Sequence, residues 1–297
     1  MSHRDLVNIK MQIRYSFIYL LLAFLSSTVL AGEPVYYSRQ GPSADLPSEY
    51  PIKLLQMALK KSGSLYEALP TPDSVPPMQQ GRALKELASE RGFVNVVWTV
   101  TSREREQQVL PIRIPIDKGV LGWRLLLVTK RHAEQFKNVK NVDALKAFTA
   151  GQGHDWPDTE ILQSNGIQVL TSPNFESLFL MLEAGRFHYF PRSLREIWRE
   201  ADQRANQDMM VEPYLALHYP SAHYFFVNKN NTKLAAALNK GLEMAIADGS
   251  FDKLFNQYHD QAVKLTDFKN RTVIELKNPG LPVATPLDRK ELWFSPK

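Results

Sequence analysis

The sequence predicts an α/β fold built as two lobes, each on a mostly parallel sheet flanked by helices. Helical and strand signals alternate from Pro34 onward, the arrangement that parallel sheets require. Two segments, "ASERGFVNVVW" and "LEAGRFHYF", repeat one layout: a helix, a glycine stop at Gly92 or Gly185, then a strand opening at Phe93 or Phe187. Behind a leader of 31 residues the chain of 297 keeps enough length for two ordinary domains of about 150 residues each.

The leader is set apart first. Arg4, Lys10 and Arg14 precede an apolar run over 17–25, and Val29-Leu30-Ala31 supplies a small-residue cleavage pattern. The run is well short of the ~20 residues a membrane-spanning helix needs, so it reads as a secretory signal peptide cleaved after Ala31. Met11 is an alternative start. "PVYYSR" is then the first strand. Ser48 and Pro51 open a helix with Ile52, Leu55 and Leu59 at helical spacing, closed by Gly63. A second strand runs near "YEALP", and the four prolines of "PTPDSVPP" make a loop. "GRALKELASER" is a helix with Ala83, Leu84, Leu87 and Ala88 on one face, and "FVNVVWTV" the strand after it.

In "LPIRIPI", Leu110, Ile112, Ile114 and Ile116 alternate with Pro111, Arg113 and Pro115, an extended segment whose prolines confine it to an edge or a crossover. "VLGWRLLLV" is a nearly continuous apolar run interrupted by Arg124, a strand buried on both faces. Beyond Lys130, "NVDALKAF", "PDTEILQSNG", "NFESLFLMLEAG" and "SLREIWREADQ" read as helices between the strands "IQVLTS" and "FHYF". "HYFFVN" is another buried strand, followed by helices in "TKLAAALNKGLEMAIADGS" and "FDKLFNQYH". The last thirty residues, with Pro279, Pro282, Pro286 and Pro296, form an extended tail that Trp293 and Phe294 can anchor to a lobe. The organisation read from this is a leader over 1–31, a first lobe over 32–125, a second over 126–220, a return to the first over 221–265, and a tail over 266–297.

Composition excludes several classes. Removing the leader takes away three of 36 basic and one of 31 acidic residues, leaving a net charge of +3 spread along the chain, which argues against nucleic acid. The chain has no cysteine, so neither a disulfide framework nor a lipid-anchored cysteine is possible. The seven histidines are scattered without metal-ligand spacing, and no phosphate-binding loop, dinucleotide fingerprint or nucleophile elbow is present, so no metal or cofactor is expected.

Ligands of open α/β sheets bind beyond the carboxyl ends of the strands. Beyond one strand lie Thr99, Thr101, Arg103 and Arg105; beyond its counterpart lie Arg192 and Ser193. Guanidinium groups from both lobes would meet an anion in one cleft, since arginine donates a planar fork to carboxylates and stays charged. The loop "AGQGHDWPDTE" places His154 and Trp156 before a helix start at the same end of the second lobe. Each residue has a purely structural alternative. The arginines of "SRERE" could pair with Glu104 and Glu106, Arg192 with Glu196 one turn later, and Trp156 could pack on its own lobe.

On "TVTSREREQQVLPI", "GRFHYFPRS" and "NKGLEMAIADGSFDKLFNQYH", the chain over 34–259 resembles the type II periplasmic solute-binding proteins, typified by the amino-acid receptors of ABC transporters. The resemblance implies two lobes joined by two hinge crossovers around a cleft that closes on a small molecule. It gives Arg105 the ligand carboxylate, with Thr101 as hydroxyl donor and Arg103 as substitute, and makes Tyr37 and Trp98 candidates to sandwich the ligand. One departure stands out: where amino-acid receptors carry an acidic residue for the α-ammonium, this chain has Pro191, Arg192 and Ser193. That favours a polar anion or a ligand with two anionic ends.

The expectation is therefore a periplasmic, monomeric solute-binding protein without enzymatic activity, delivering a carboxylate-bearing molecule to a membrane permease or a sensor-kinase ectodomain. The alternatives are a dehydratase-like enzyme on the same scaffold and an interaction protein with a vestigial cleft.

Overall fold

The computed structural model describes residues 32–39, 49–78, 80–89 and 92–296. The leader and the helix start at Ser48 lie outside them. β1 (Glu33–Tyr37) pairs in parallel with β3 (Val96–Val100). Between these strands run α1 (Glu49–Ser62), β2 (Tyr66–Pro70) and α2 (Gln80–Ala88). α1 is amphipathic by spacing: Tyr50, Leu54, Leu55, Ala58 and Leu59 are buried, and Lys60 and Lys61 sit in its last turn, where cations suit the helix dipole. The charged stretch after β3 is not the end of a strand but a short helix, α3 (Arg103–Gln108), started by Ser102, whose Oγ accepts from the Arg105 N–H. β4 (Leu110–Ile112) follows at the sheet edge, where its proline costs no ladder bond.

The chain then crosses over 113–122 into a second sheet. β5 (Trp123–Thr129) is buried along its whole length, as its apolar run predicts. α4 (Val142–Leu145), β6 (Ala150–Gly153), α5 (Pro157–Ser164), β7 (Val169–Ser172), α6 (Phe175–Glu183), β8 (Phe190–Ser193), α7 (Ile197–Gln203), β9 (Met209–Val211) and β10 (Leu215–His218) complete this lobe. Residues 219–222 cross back into β11 (His223–Val227), α8 (Thr232–Ala247) and α9 (Ser250–Thr266). α8 packs so closely on α1 that a Cβ at Gly241 would lie 1.8 Å from the Ala58 carbonyl oxygen, so only glycine fits. β12 (Thr272–Glu275) returns to the second sheet beside β10. Residues Pro34–Lys297 form one compact unit.

The strand order is β2-β1-β3-β11-β4 in the first sheet and β12-β10-β5-β8 in the second, with β9 against β5 and β6-β7 joined through the Ala150–Tyr189 bridge. Pairing is more mixed than the sequence suggests. β1/β3, β6/β7 and β10/β12 are parallel, whereas β11 is antiparallel to β3 and β4, and β5 to β8, β9 and β10. The crossings explain two of these reversals. β4 runs into the first crossing and β11 out of the second, while β5 runs out of the first and β10 into the second. Neighbours that use adjacent crossings in opposite senses must be antiparallel. Three boundaries also differ from the sequence reading: both echoed strands open three residues later, at Val96 and Phe190; the change of sheet precedes residue 125; and part of the tail is a strand.

Each sheet has its own core. Val35, Leu54, Val96, Ile114, Phe225 and Leu238 represent the first, and Leu126, Phe136, Tyr189 and Leu217 one face of the second. Where α9 meets α1, His259 is buried edge-on to Tyr50 at 4.7 Å and stacked on Phe255 at 4.4 Å, with Nδ1 2.8 Å from the Phe255 carbonyl oxygen. Burial, aided by the nearby Arg195 charge, pushes its pKa down to about 4. The unfolded chain binds this proton near pH 6.5 and the folded chain resists it until about 4. The stabilisation is therefore present above pH 6.5 and lost as pH falls toward 4, by about 3 kcal/mol. Urea unfolding between pH 7 and 4 should show this loss in the natural protein and a shallower one in His259→Gln.

Candidate ligand-binding site

The site grows from the end of β3. Ser102 turns the chain into α3, and the first turn of that helix carries Arg105 back over the strand. Its Nη1 donates to Thr99 Oγ1 at 2.8 Å and to the Val100 carbonyl at 2.5 Å, and its Nη2 donates to Gln80 Oε1 at 2.7 Å. The guanidinium is thereby fixed on three acceptors from β3 and α2. Its Nε–H and one Nη2–H have no acceptor among the described residues. Burial lowers its pKa from the ordinary arginine value, while Asp155, Asp158 and Glu104 draw it back up. Asp155 and Asp158 belong to the second lobe, in the loop before α5 and in its first turn. The charges of these two second-lobe residues thus act on Arg105.

The other first-lobe candidates divide. Thr99 touches Arg105. Thr101 is buried and donates to Glu106 Oε1 at 2.7 Å, and Glu106 in turn pairs with Arg113. Arg103 points away, its Nη2 donating to the Pro279 carbonyl in the tail, so it does not join Arg105. Tyr37 and Trp98 contact each other at 5.6 Å and pack on the first-lobe core with Phe225. Because side chains alternate along β3, Trp98 lies on the opposite sheet face from Thr99, and the pair is not brought to Arg105.

In the second lobe the structure departs most from the sequence reading. Arg192 is 2% exposed and bound to its own lobe: Nε and Nη2 each donate to Glu200 at 2.8 Å, and Glu196 lies 3.2 Å from Nη2. The rings of Trp156, Phe175 and Phe190 surround the guanidinium at 4.9 to 5.3 Å. Its fork is filled by the chain's own carboxylates rather than held open toward a ligand. Arg124, a residue the sequence reading did not select, forms a second buried node. Its Nη2 lies 2.5 Å from Asp158, its Nη1 3.5 Å from Glu196, and its Nε donates to the Tyr219 hydroxyl at 2.8 Å. Tyr219 donates in turn to Asp158.

Two buried cations therefore meet three carboxylates, and burial raises the pKa of Glu196. Ser193 is fully buried in this network, its N–H donating to Glu196 at 2.9 Å. The pairing of Arg192 with Glu196 is the structural alternative the sequence offered; Glu200, four residues further and on the same helical face as Glu196, is the partner it did not name.

His154 is 61% exposed beside Asp155, at the rim. Trp156 precedes α5, packs over Gly153 and Phe190, and serves as one wall around Arg192. An open hollow of about 600 Å³ lies at the far end of α5, lined by Gln163, Gly166, Gln168 and Leu170 among others, and does not include the Arg105 region. Among the described residues, no three His, Cys, Asp or Glu are grouped to hold a metal ion, and no helix is long and apolar enough to cross a membrane.

No family model matches the sequence, and no match is found among curated proteins. Solved structures do match. An ancestral arginine-binding protein bound to arginine has a TM-score of 0.54 at 20% identity, covering 77% of this chain and 98% of the other. The substrate binding protein of an amino acid ABC transporter has a TM-score of 0.51 at 15% identity, covering 77% and 100%. A histidine kinase sensor domain with similarity to periplasmic binding proteins has a TM-score of 0.52 at 14% identity, covering 76% and 95%. The chain therefore has the two-lobed α/β fold of the type II periplasmic binding proteins.

Proposed function

We propose that this protein is an extracytoplasmic solute receptor that captures a small carboxylate-bearing molecule between its lobes and closes around it. The observation that carries the reading is Arg105: a guanidinium fixed by Thr99, Val100 and Gln80 at the end of β3, with donors left over among the described residues. A carboxylate on those donors gains charge-assisted hydrogen bonds. With Arg192 engaged by Glu200, that guanidinium is not offered to a second anionic end, and the exposed Asp155 carboxylate favours a ligand whose other end is neutral or cationic. Closure follows from a ligand that touches both lobes, because only the closed state makes both sets of contacts. A fold shared with both a transporter component and a kinase sensor domain supports a membrane permease or a sensor-kinase ectodomain as the partner. The leader read in the sequence supports export, and binding without turnover fits a receptor.

A thermal-shift screen rich in amino acids, dicarboxylates and aromatic acids tests this reading. A ligand at 100 times its Kd should stabilise the protein by ~2.7 kcal/mol, and Arg105→Ala should remove the shift while the unliganded protein stays folded. Mass spectrometry that finds the compound converted would make the protein an enzyme, and a library without any shift would leave a vestigial cleft.

Arg192→Ala should behave differently. It leaves Glu200 and Glu196 buried without their main cation and should lower stability by about 3–5 kcal/mol. Arg192→Met combined with Glu200→Gln should recover part of that loss in urea unfolding. Equal stability of natural protein and Arg192→Ala would contradict the buried network.

A further inference from the structure

The tail does more than cover one lobe. β12 is hydrogen-bonded into the second sheet, and Leu276 continues it by donating its N–H to the His218 carbonyl at 2.7 Å. Lys277 and Asn165, at the end of α5, exchange two hydrogen bonds of 2.8 and 2.9 Å. The chain is still on the second lobe here. At the next residue it meets the hinge, where Asn278 Nδ2 donates to the Pro220 carbonyl of the second crossing at 2.8 Å. Pro279 accepts from Arg103 of the first lobe. Beyond Gly280 the contacts belong to the first lobe: Arg289 binds Glu243 of α8 through both guanidinium nitrogens at 2.6 and 3.0 Å, and Leu292 is 1% exposed in the first core.

The end of the tail returns to the first crossing. Phe294 donates its N–H to the Lys118 carbonyl at 2.7 Å, and its ring contacts Trp123, Phe255 and Phe268. Gly119 adopts φ +71, and a Cβ there would lie 2.5 Å from the Trp293 ring. A glycine is needed both for the left-handed turn and for the seat of the indole. Residues 276–294 therefore run from one lobe to the other across both crossings, with a fitted anchor at each end.

We propose that this segment is a strap that limits how far the lobes swing apart, so the empty protein samples a narrower range of cleft openings than its two crossings would allow. A rotation that opens the cleft must stretch 278–281 or release either the Lys277–Asn165 pair or the Arg289 and Trp293 seats. The proposal rests on the two-lobed fold and not on what the cleft binds.

Lengthening the strap tests it while leaving both anchors in place. Twelve Gly and Ser residues inserted between Gly280 and Leu281 add about 20 Å of slack. The chain has no cysteine, so Glu160→Cys on α5 and Lys240→Cys on α8 give one exposed label site per lobe. Pulsed electron-spin distance measurements on the unliganded protein, in the full chain and in the insertion variant, read the opening directly. The expected result is a longer mean and a wider distribution in the variant, with an unchanged far-UV spectrum and a melting temperature showing that the anchors hold. Identical distributions, or an equally wide one in the full chain, would overturn the strap. Neither result touches the solute-binding reading, which stands or falls on the ligand screen.

Discussion

Arg124 sits near the start of β5, the longest wholly buried strand among the described residues, and its guanidinium joins three parts of the second lobe that are far apart in sequence: Asp158 at the head of α5, Glu196 before α7, and Tyr219 at the return crossing. Placing this charge in a dry interior costs several kcal/mol unless partners surround it, so these elements are constrained to converge on it. Arg192 extends the cluster through Glu196 to Glu200. A buried ion cluster contributes little net stability compared with a well-packed apolar one. Its effect is to admit one arrangement, because every displaced partner leaves an unpaired charge. The placement of the head of α5 follows from that constraint.

Closure in such a fold is a balance between contacts across the cleft and the freedom of the hinge. The hinge carries its own charges. Asp117, fully buried in the first crossing, lies 3.3 Å from His223 at the start of β11 and 3.6 Å from Arg195 of the second lobe, and surrounding charges hold its pKa below the ordinary value despite burial. Tyr50 donates to the Ile116 carbonyl beside it. The crossings are thus packed and paired rather than slack, and the tail adds a further connection over them.

The cleft also has an asymmetry. The first lobe offers one guanidinium held by neutral acceptors, while the second has taken up its own guanidiniums with an excess of carboxylates. Arginines stand near the ends of both sheets, and among the described residues those of the second lobe are engaged by its own carboxylates.

The alternation of helix and strand, the two-lobe layout, the buried run of β5 and the edge position of β4 follow from local patterns in the sequence: periodicity, and proline and glycine placement. The choice of Arg105 comes instead from the resemblance to a known family carried by "TVTSREREQQVLPI". What the local pattern could not hold is pairing across distance. Strand direction depended on which crossing each strand used; β12 looked like tail because its partner β10 is more than fifty residues away. Arg192 and Arg105 are the same residue type near the carboxyl ends of their strands, and only packing decided that one meets Glu200 and a ring of aromatics while the other, among the described residues, keeps donors to spare. A side chain's chemistry is written in the sequence, but its occupancy is set by which other groups the folded chain brings within hydrogen-bond reach.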